Sequence, residues 1–280
     1  MHAVTTSSLH PLTPVSVKTV SDKAVSDKSA IRDAFSKASA TYDAHAAFQR
    51  DVGERLLARM PSDLSGQVVL DVGCGTGYFS WQLQQRGAKV ICLDLSPDML
   101  AAARARCGDV NMLYQLGDAE QLPLQAGSVD YVFSSLALQW CEDLALPLKE
   151  MRRVVKKGGE IVFSTLLDGS LDELKSAWRN IDSYQHVNDF ITVNQLKLAL
   201  AQSESLNHHL DLPAVTVWYE TAFSLMRDLK GIGANHVSGR SPGLMSRQTL
   251  RKLEQAYQVF QNQEGLLPAT YQVCLGVIHR

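Results

Sequence analysis

Apolar and polar positions along the 280-residue chain change period several times, and each change marks an element. Between residues 29 and 60, Ile31, Phe35, Ala38, Tyr42, Ala46 and Gln49 recur at three- and four-residue spacing, the signature of one helix face. "PSDLSG" breaks that pattern, and a first strand is predicted over 67–72. "KVICLDL" reads as a second strand. The helix that follows has Ser96 as its cap, Pro97 at its first position, Asp98 in its first turn and Gly108 as its stop. "NMLYQLGD" and "VDYVFSSLAL" are two more strands, "LPLKEMRRVVKKGG" is a helix closed by a double glycine, and "EIVFST" is a fifth strand. Strands alternating with helices across brief loops imply a parallel sheet covered on both faces. A ligand then sits beyond the carboxyl ends of the strands.

After Thr165 the alternation stops, and 166–212 reads as a mostly helical insertion. "AVTVWYET" resumes as a strand, helices follow near 222–231 and 246–262, and "ATYQVCLGVI" is predicted as a final edge strand. The expected fold class is α/β, doubly wound, with a mostly parallel seven-stranded sheet. Its parts are a disordered tail over 1–28, an N-terminal helical region over 29–60, a ligand-binding core over 61–165, the insertion, and a C-terminal completion over 213–280.

Composition narrows the function classes. A net charge of −2 gives no reason to expect nucleic acid or an anionic membrane as the main partner. No stretch approaches the roughly 20 apolar residues that span a bilayer, and residues 1–28 lack the apolar run of a signal peptide. Five scattered cysteines without a CxxC pair indicate reduced thiols and a cytoplasmic setting. The histidines show no HxxxH or HExxH spacing, so no metal site is expected.

The chemistry concentrates in "VVLDVGCGTGYFS" at the end of the first strand. Gly73, Gly75 and Gly77 permit positive φ and let a ligand approach bare backbone. Their GxGxG spacing differs from the GxGxxG of dinucleotide sites and from the GxxxxGK phosphate loop. A glycine loop preceded by Asp71 suits a cationic amino-acid end better than a pyrophosphate. Asp94 ends the next strand, where a carboxylate can accept from both hydroxyls of a ribose. Asp118 ends the third, within reach of an adenine amino group. Three acids at three consecutive strand ends are hard to assign to helix capping alone.

With "VLDVGCGTG", "CLDLSPDML" and "GDAEQLPLQAGSVDYVFSSLALQW", the chain resembles the class I S-adenosylmethionine-dependent methyltransferases over roughly 65–165. That resemblance implies a Rossmann-like sheet with S-adenosylmethionine as cofactor. It implies that Asp71 and the glycines hold the methionine end, Asp94 with Leu95 and Met99 the ribose side, and Asp118 with Ala119 the adenine. Ser134 would border the methyl-transfer site. "AFSKASATYDAHAAFQR", "SSLALQWCEDL", "GSLDELKSAWRNID", "HVNDF", "LMRDLKGIGANHV" and "TYQVCLGVI" are similar to the malonyl-acyl-carrier-protein O-methyltransferases of biotin synthesis over most of 29–280.

That narrower resemblance implies O-methylation of a malonyl carboxyl. The carboxylate is already ionised at neutral pH, so binding and alignment are needed rather than a strong base. Arg227 is the expected bidentate partner of the carboxylate. Tyr42, His45 and His186 are candidate donors, and Gln139 and Trp140 are expected to wall the pocket. The 29–60 helix is expected to act as a lid together with the insertion. An acidic carrier protein predicts a basic landing surface, and Arg227, Lys230, Arg240, Arg247, Arg251 and Lys252 outnumber Asp228 and Glu254 between 222 and 256. Malonyl coenzyme A as a second substrate stays open, and a monomer is expected. The competing readings are a methyltransferase for a free small molecule, such as a quinone precursor or short-chain acid, and a non-catalytic cofactor-binding protein.

Overall fold

The computed structural model describes residues 22–234 and 246–280; residues 1–21 of the expected tail, and Arg240, lie outside the described residues. Helix α1 (Asp22–Ala38) begins earlier than the apolar periodicity indicated, so 22–28 belong to the helical region and not to a tail. The sequence over 22–28, DKAVSDK, is charged rather than apolar-periodic, and Lys28 reaches across to Asp118 and Glu120 in the loop after the third strand. Such a long-range ion pair leaves no trace in local pattern. Helices α2 (Tyr42–His45) and α3 (Ala47–Leu57) follow, split at Ala46, whose φ of −95° and ψ of 31° depart from the helix.

The sheet is built from β1 (Val68–Val72), β2 (Lys89–Asp94), β3 (Met112–Leu116), β4 (Val129–Ser134), β5 (Val155–Leu167), β6 (His208–Asp211), β7 (Ala214–Tyr219) and β8 (Leu267–His279). The first five are parallel, in the order β3-β2-β1-β4-β5, and β8 then lies antiparallel to β5. Val132, Phe133, Ile161, Val162 and Phe163 at its centre are fully buried, as expected for strands covered on both faces. Helices α4 (Tyr78–Gln85), α5 (Pro97–Cys107), α6 (Ala145–Val154), α7 (Asp172–Arg179), α8 (Val193–Gln202), α9 (Ala222–Gly231) and α10 (Arg247–Tyr257) complete the described chain. Ser96 caps α5 as expected, its Oγ accepting from Met99 N at 3.2 Å.

Three expectations about the sheet change. Strand β8 is interior, because its first half pairs with β7 and its second half with β6 along the edge that β5 leaves free. The insertion is not purely helical: β6 lies within it and gives the sheet an eighth strand. Strand β5 starts before Gly158–Gly159, and the glycines absorb a register jump from Val129↔Val155 to Tyr131↔Glu160 instead of ending a helix. No helix among the described residues is long and apolar enough to cross a membrane.

Candidate active site

The carboxyl ends of β1, β2 and β4 meet under the N-terminal helices, and the glycine loop is tied down from below. Gly73 and Cys74 donate their N–H groups to Leu93 O at 2.8 and 3.0 Å. Asp94 accepts from Gly75 N at 2.9 Å and from Ser96 N at 2.8 Å, one bond to each carboxylate oxygen. Asp94 thus shapes the loop as well as facing the cavity, and burial pushes its carboxyl above the usual range against those backbone bonds. Gly73 and Gly75 have φ of 72° and 54°, where side chains are strained. They differ in surroundings: a Cβ on Gly73 would sit 2.4 Å from Ala137 Cβ, whereas one on Gly75 would meet nothing within 4 Å. Gly77 does not line the cavity; its φ of 77° starts α4, and its bare Cα packs on Ala103 of α5.

A first chamber of about 760 Å³ opens above Gly73 and Gly75. Asp94, Leu95, Met99, Asp118 and Ala119 line its sheet side, and Lys28, Phe35 and Tyr42 line it from the N-terminal helices. Asp118 holds Lys28 Nζ at 2.6 Å on Oδ2 and accepts from Glu120 N on Oδ1. Ser134 is not at the cavity. It is fully buried and donates to Val72 O at 3.0 Å, while Ser135, one step along the chain, lines the chamber.

At the inner end is an annex of about 470 Å³ lined by Asp43, Arg50, Asp71 and Thr76 together with Tyr42 and Gln49. A cation and two acids around one small space suit the two charged ends of an amino acid. Asp71 is 2 % exposed, accepts from Ser80 Oγ at 2.5 Å, and has its carboxyl pushed up to about 7 by burial. Asp43 accepts from Thr76 Oγ1 at 2.7 Å and pairs with Arg106, which pins α2 over the loop.

A second chamber of about 730 Å³ lies on the other side of Phe35, Tyr42, Leu136 and Trp140, four residues that line both. Phe35 meets Trp140 edge-on at 5.2 Å between ring centres. Leu136 is held at φ 50°, its N–H donating to Ser164 Oγ at 3.0 Å, a strained backbone placed at the boundary itself. Gln139 and His186 line this chamber too. His186 Nε2 is 2.8 Å from Asp182 Oδ1, and the ring stacks on Trp178 at 3.6 Å. A carboxylate only accepts, so the proton sits on Nε2 and Nδ1 is left for another partner. The carbonyl oxygens of Gln49 and Gln139 are buried with no partner among the described residues. Burial and the nearby Asp94 and Asp43 raise the Tyr42 phenol far above its usual range, so it stays a neutral donor.

Two expected residues lie elsewhere. His45 faces α9: its ring packs on Gly231, and Nδ1 is 2.7 Å from Asp228 Oδ1, which ties α2 to α9. Arg227 is exposed on α9 and lines none of the three cavities, because that helix turns Leu229 toward the second chamber instead. No lysine or arginine is among the described residues lining that chamber. Sequence reasoning missed Lys28, Asp43, Gln49, Arg50 and Ser135. Only Ser135 had a local signal, in the alternation along β4. Among the described residues there is no cluster suited to a metal ion.

Residues 70–163 match a family model described as a methyltransferase domain. The chain is 48% identical over 255 residues to the malonyl-acyl-carrier-protein O-methyltransferase of Serratia marcescens, covering 91% of this chain and 96% of that protein. It is 40% identical over 248 residues to the biotin biosynthesis bifunctional protein BioHC of Cellvibrio japonicus, covering 88% of this chain and 49% of that protein. Among solved structures, a Haemonchus contortus phosphoethanolamine N-methyltransferase 2 in complex with S-adenosylhomocysteine superposes with a TM-score of 0.54 at 19% identity. It covers 82% of this chain and 52% of that one, and supports the fold.

Proposed function

Because the chain belongs to the malonyl-acyl-carrier-protein O-methyltransferase family, we propose that its two chambers divide the reaction, one for each substrate. The protein is an S-adenosylmethionine-dependent carboxyl O-methyltransferase that esterifies the free carboxyl of a malonyl thioester on acyl carrier protein, for biotin synthesis. The observation that carries the division of labour is the shared wall of Phe35, Tyr42, Leu136 and Trp140, with a cavity on each side.

The first chamber fits S-adenosylmethionine. Gly75 leaves open space, Asp94 ends β2 where a ribose would lie, and Asp118 ends β3 where an adenine would lie. Arg50 and Asp71 would take the carboxylate and ammonium of the methionine end in the annex. When bound, the cofactor supplies a sulfonium methyl that a carboxylate oxygen attacks from behind, the C–S electron pair staying on sulfur. No proton moves, so the protein needs no general base. Its residues have to strip water from the carboxylate, hold it still and keep the apolar wall closed.

Tyr42, Gln49, Gln139 and His186 are the donors we assign to the malonyl end. Gln49 can turn its NH₂ inward, Gln139 donates one amide hydrogen to Leu136 O at 2.6 Å and keeps the second for the substrate, and His186, held by Asp182, donates from Nδ1 only when its ring carries both protons. Tyr42 and the two glutamines are neutral donors, which suits a substrate that enters as an anion and leaves as a neutral ester, since they do not hold the product through charge. Malonyl coenzyme A presents the same acyl end, and we assign it the role of a poorer substrate lacking the carrier.

The test uses labelled S-adenosylmethionine with malonyl- or acetyl-loaded carrier protein. Label should enter only the malonyl form, as a base-labile ester. Gln139→Leu and His186→Ala should each cut kcat/KM about 10- to 100-fold, the worth of a hydrogen bond to a charged group, with cofactor affinity unchanged. Variants with normal turnover would refute the assignment of the second chamber.

A further inference from the structure

Arg227, removed from the acyl chamber by its exposure, belongs to a different surface. Helix α9 places Phe223, Arg227 and Lys230 at i, i+4 and i+7, so the three side chains stack along one face. All three are exposed, and Phe223 keeps 54% of its surface in water. Leu229 and Ile232, on the opposite side, line the acyl chamber. The helix is therefore a wall with substrate space behind it and a basic, aromatic stripe in front.

Helix α10 packs beside it, with Glu254 accepting from Ala222 N at 2.8 Å, and presents Arg247, Arg251 and Lys252 to solvent. The two acids within these helices are engaged elsewhere, while the exposed Glu220 stands just before the start of α9. Asp228 is held by His45, and Glu254 caps the start of α9. None of the five cations forms an ion pair among the described residues, and this in a chain whose net charge is −2. Surface cations that only keep a protein soluble are usually interspersed with acids. A bare aromatic beside unpaired arginines has instead the make-up of an interface.

We infer that the outer faces of α9 and α10 dock the acidic carrier protein, with Phe223 as the apolar anchor and Arg227, Lys230, Arg247, Arg251 and Lys252 as its charge-complementary surround. This rests on the reading that the thioester arrives on a carrier protein. One helix thickness, about 10 Å, separates the stripe from the acyl chamber, within reach of the carrier's long flexible thioester arm. A nucleotide such as the head of coenzyme A would engage fewer cations and leave Phe223 without a partner.

The test titrates full-length enzyme into fluorescently labelled, malonyl-loaded carrier protein and follows anisotropy at low and moderate salt. Arg227→Glu, Lys230→Glu and Arg251→Glu together should weaken binding at least ~30-fold at low salt and flatten its salt dependence. Phe223→Ser should weaken it several-fold with the salt dependence kept. Lys149→Glu, Lys157→Glu and Lys197→Glu together, three exposed cations off these helices, match the triple variant in net charge and should leave binding within about twofold. Calorimetry with S-adenosylmethionine should show unchanged affinity throughout, which reports intact folding. Equal carrier binding by the triple variant, or an equal loss in the control, overturns the docking surface. So does a loss of coenzyme A binding that matches the loss for the carrier. A wild-type enzyme that neither binds nor methylates malonyl carrier protein would overturn the substrate reading itself; normal methylation with carrier binding indifferent to the stripe overturns the surface alone.

Discussion

Gly75→Ala separates a glycine kept for the cofactor from one kept for the fold. In the free enzyme the new methyl meets nothing within 4 Å, so the direct cost is the left-handed backbone at φ 54°. That costs about 1–2 kcal/mol, or a drop in Tm of roughly 2–6 °C in a chain of this size. In the complex the methyl stands in the first chamber where we place the methionine moiety, and overpacking should add about 1–3 kcal/mol. Calorimetry should therefore show S-adenosylmethionine binding weakened roughly 5- to 150-fold, with modest loss of stability. Gly73→Ala makes the contrast. Its φ of 72° carries the same strain, but its methyl would lie 2.4 Å from Ala137 Cβ, so the unliganded protein itself should lose a further ~1–3 kcal/mol. Ala137→Gly should restore part of that loss. Normal cofactor affinity in Gly75→Ala, at any stability, would refute the placement of the methionine end on this loop.

Two further outcomes follow from the same geometry. Asp71 titrates near 7 when folded and near 4 when unfolded, so its contribution to stability is fully present below about pH 4 and is lost as pH rises through 7. Cofactor binding, whose ammonium pairs with the ionised carboxylate, should tighten between pH 5.5 and 7.5; Asp71→Asn should remove that slope in calorimetry, and a slope that survives would sink the pairing. Lys28 pairs with Asp118 and with Glu120, itself only 7% exposed, across the mouth of the first chamber. Lys28→Ala should raise the stopped-flow dissociation rate of S-adenosylhomocysteine about fivefold, the worth of about 1 kcal/mol, and an unchanged rate would show that α1 does not latch the chamber.

The parts of the site that were legible in the sequence are those whose signal is local. A glycine loop at one strand end and acids at three strand ends sit within a few residues of the turns that aim them, and Asp71, Asp94 and Asp118 all reach the cavities. Arg227 was misplaced although a signal existed: Ala222, Leu225, Leu229 and Ile232 form the buried or chamber-facing stripe, and Arg227 falls two residues past Leu225, on the far side of the helix. Ser134 and Ser135 differ only in the face of β4 they take, which β1 decides through Val72. The continuous apolar run in β8 already spoke for a strand buried on both faces rather than an edge. Lys28, Gln49 and Arg50 could not be found by any window, since each gains its meaning from a segment folded onto it from far along the chain.

The wall shared by the two chambers also couples the two halves of the reaction. Phe35 and Tyr42 come from the N-terminal helices and touch both cavities, so a movement of those helices that exchanged spent cofactor would disturb the acyl side with it. On the two-chamber reading, release of the ester and renewal of the methyl donor then draw on one and the same pair of side chains.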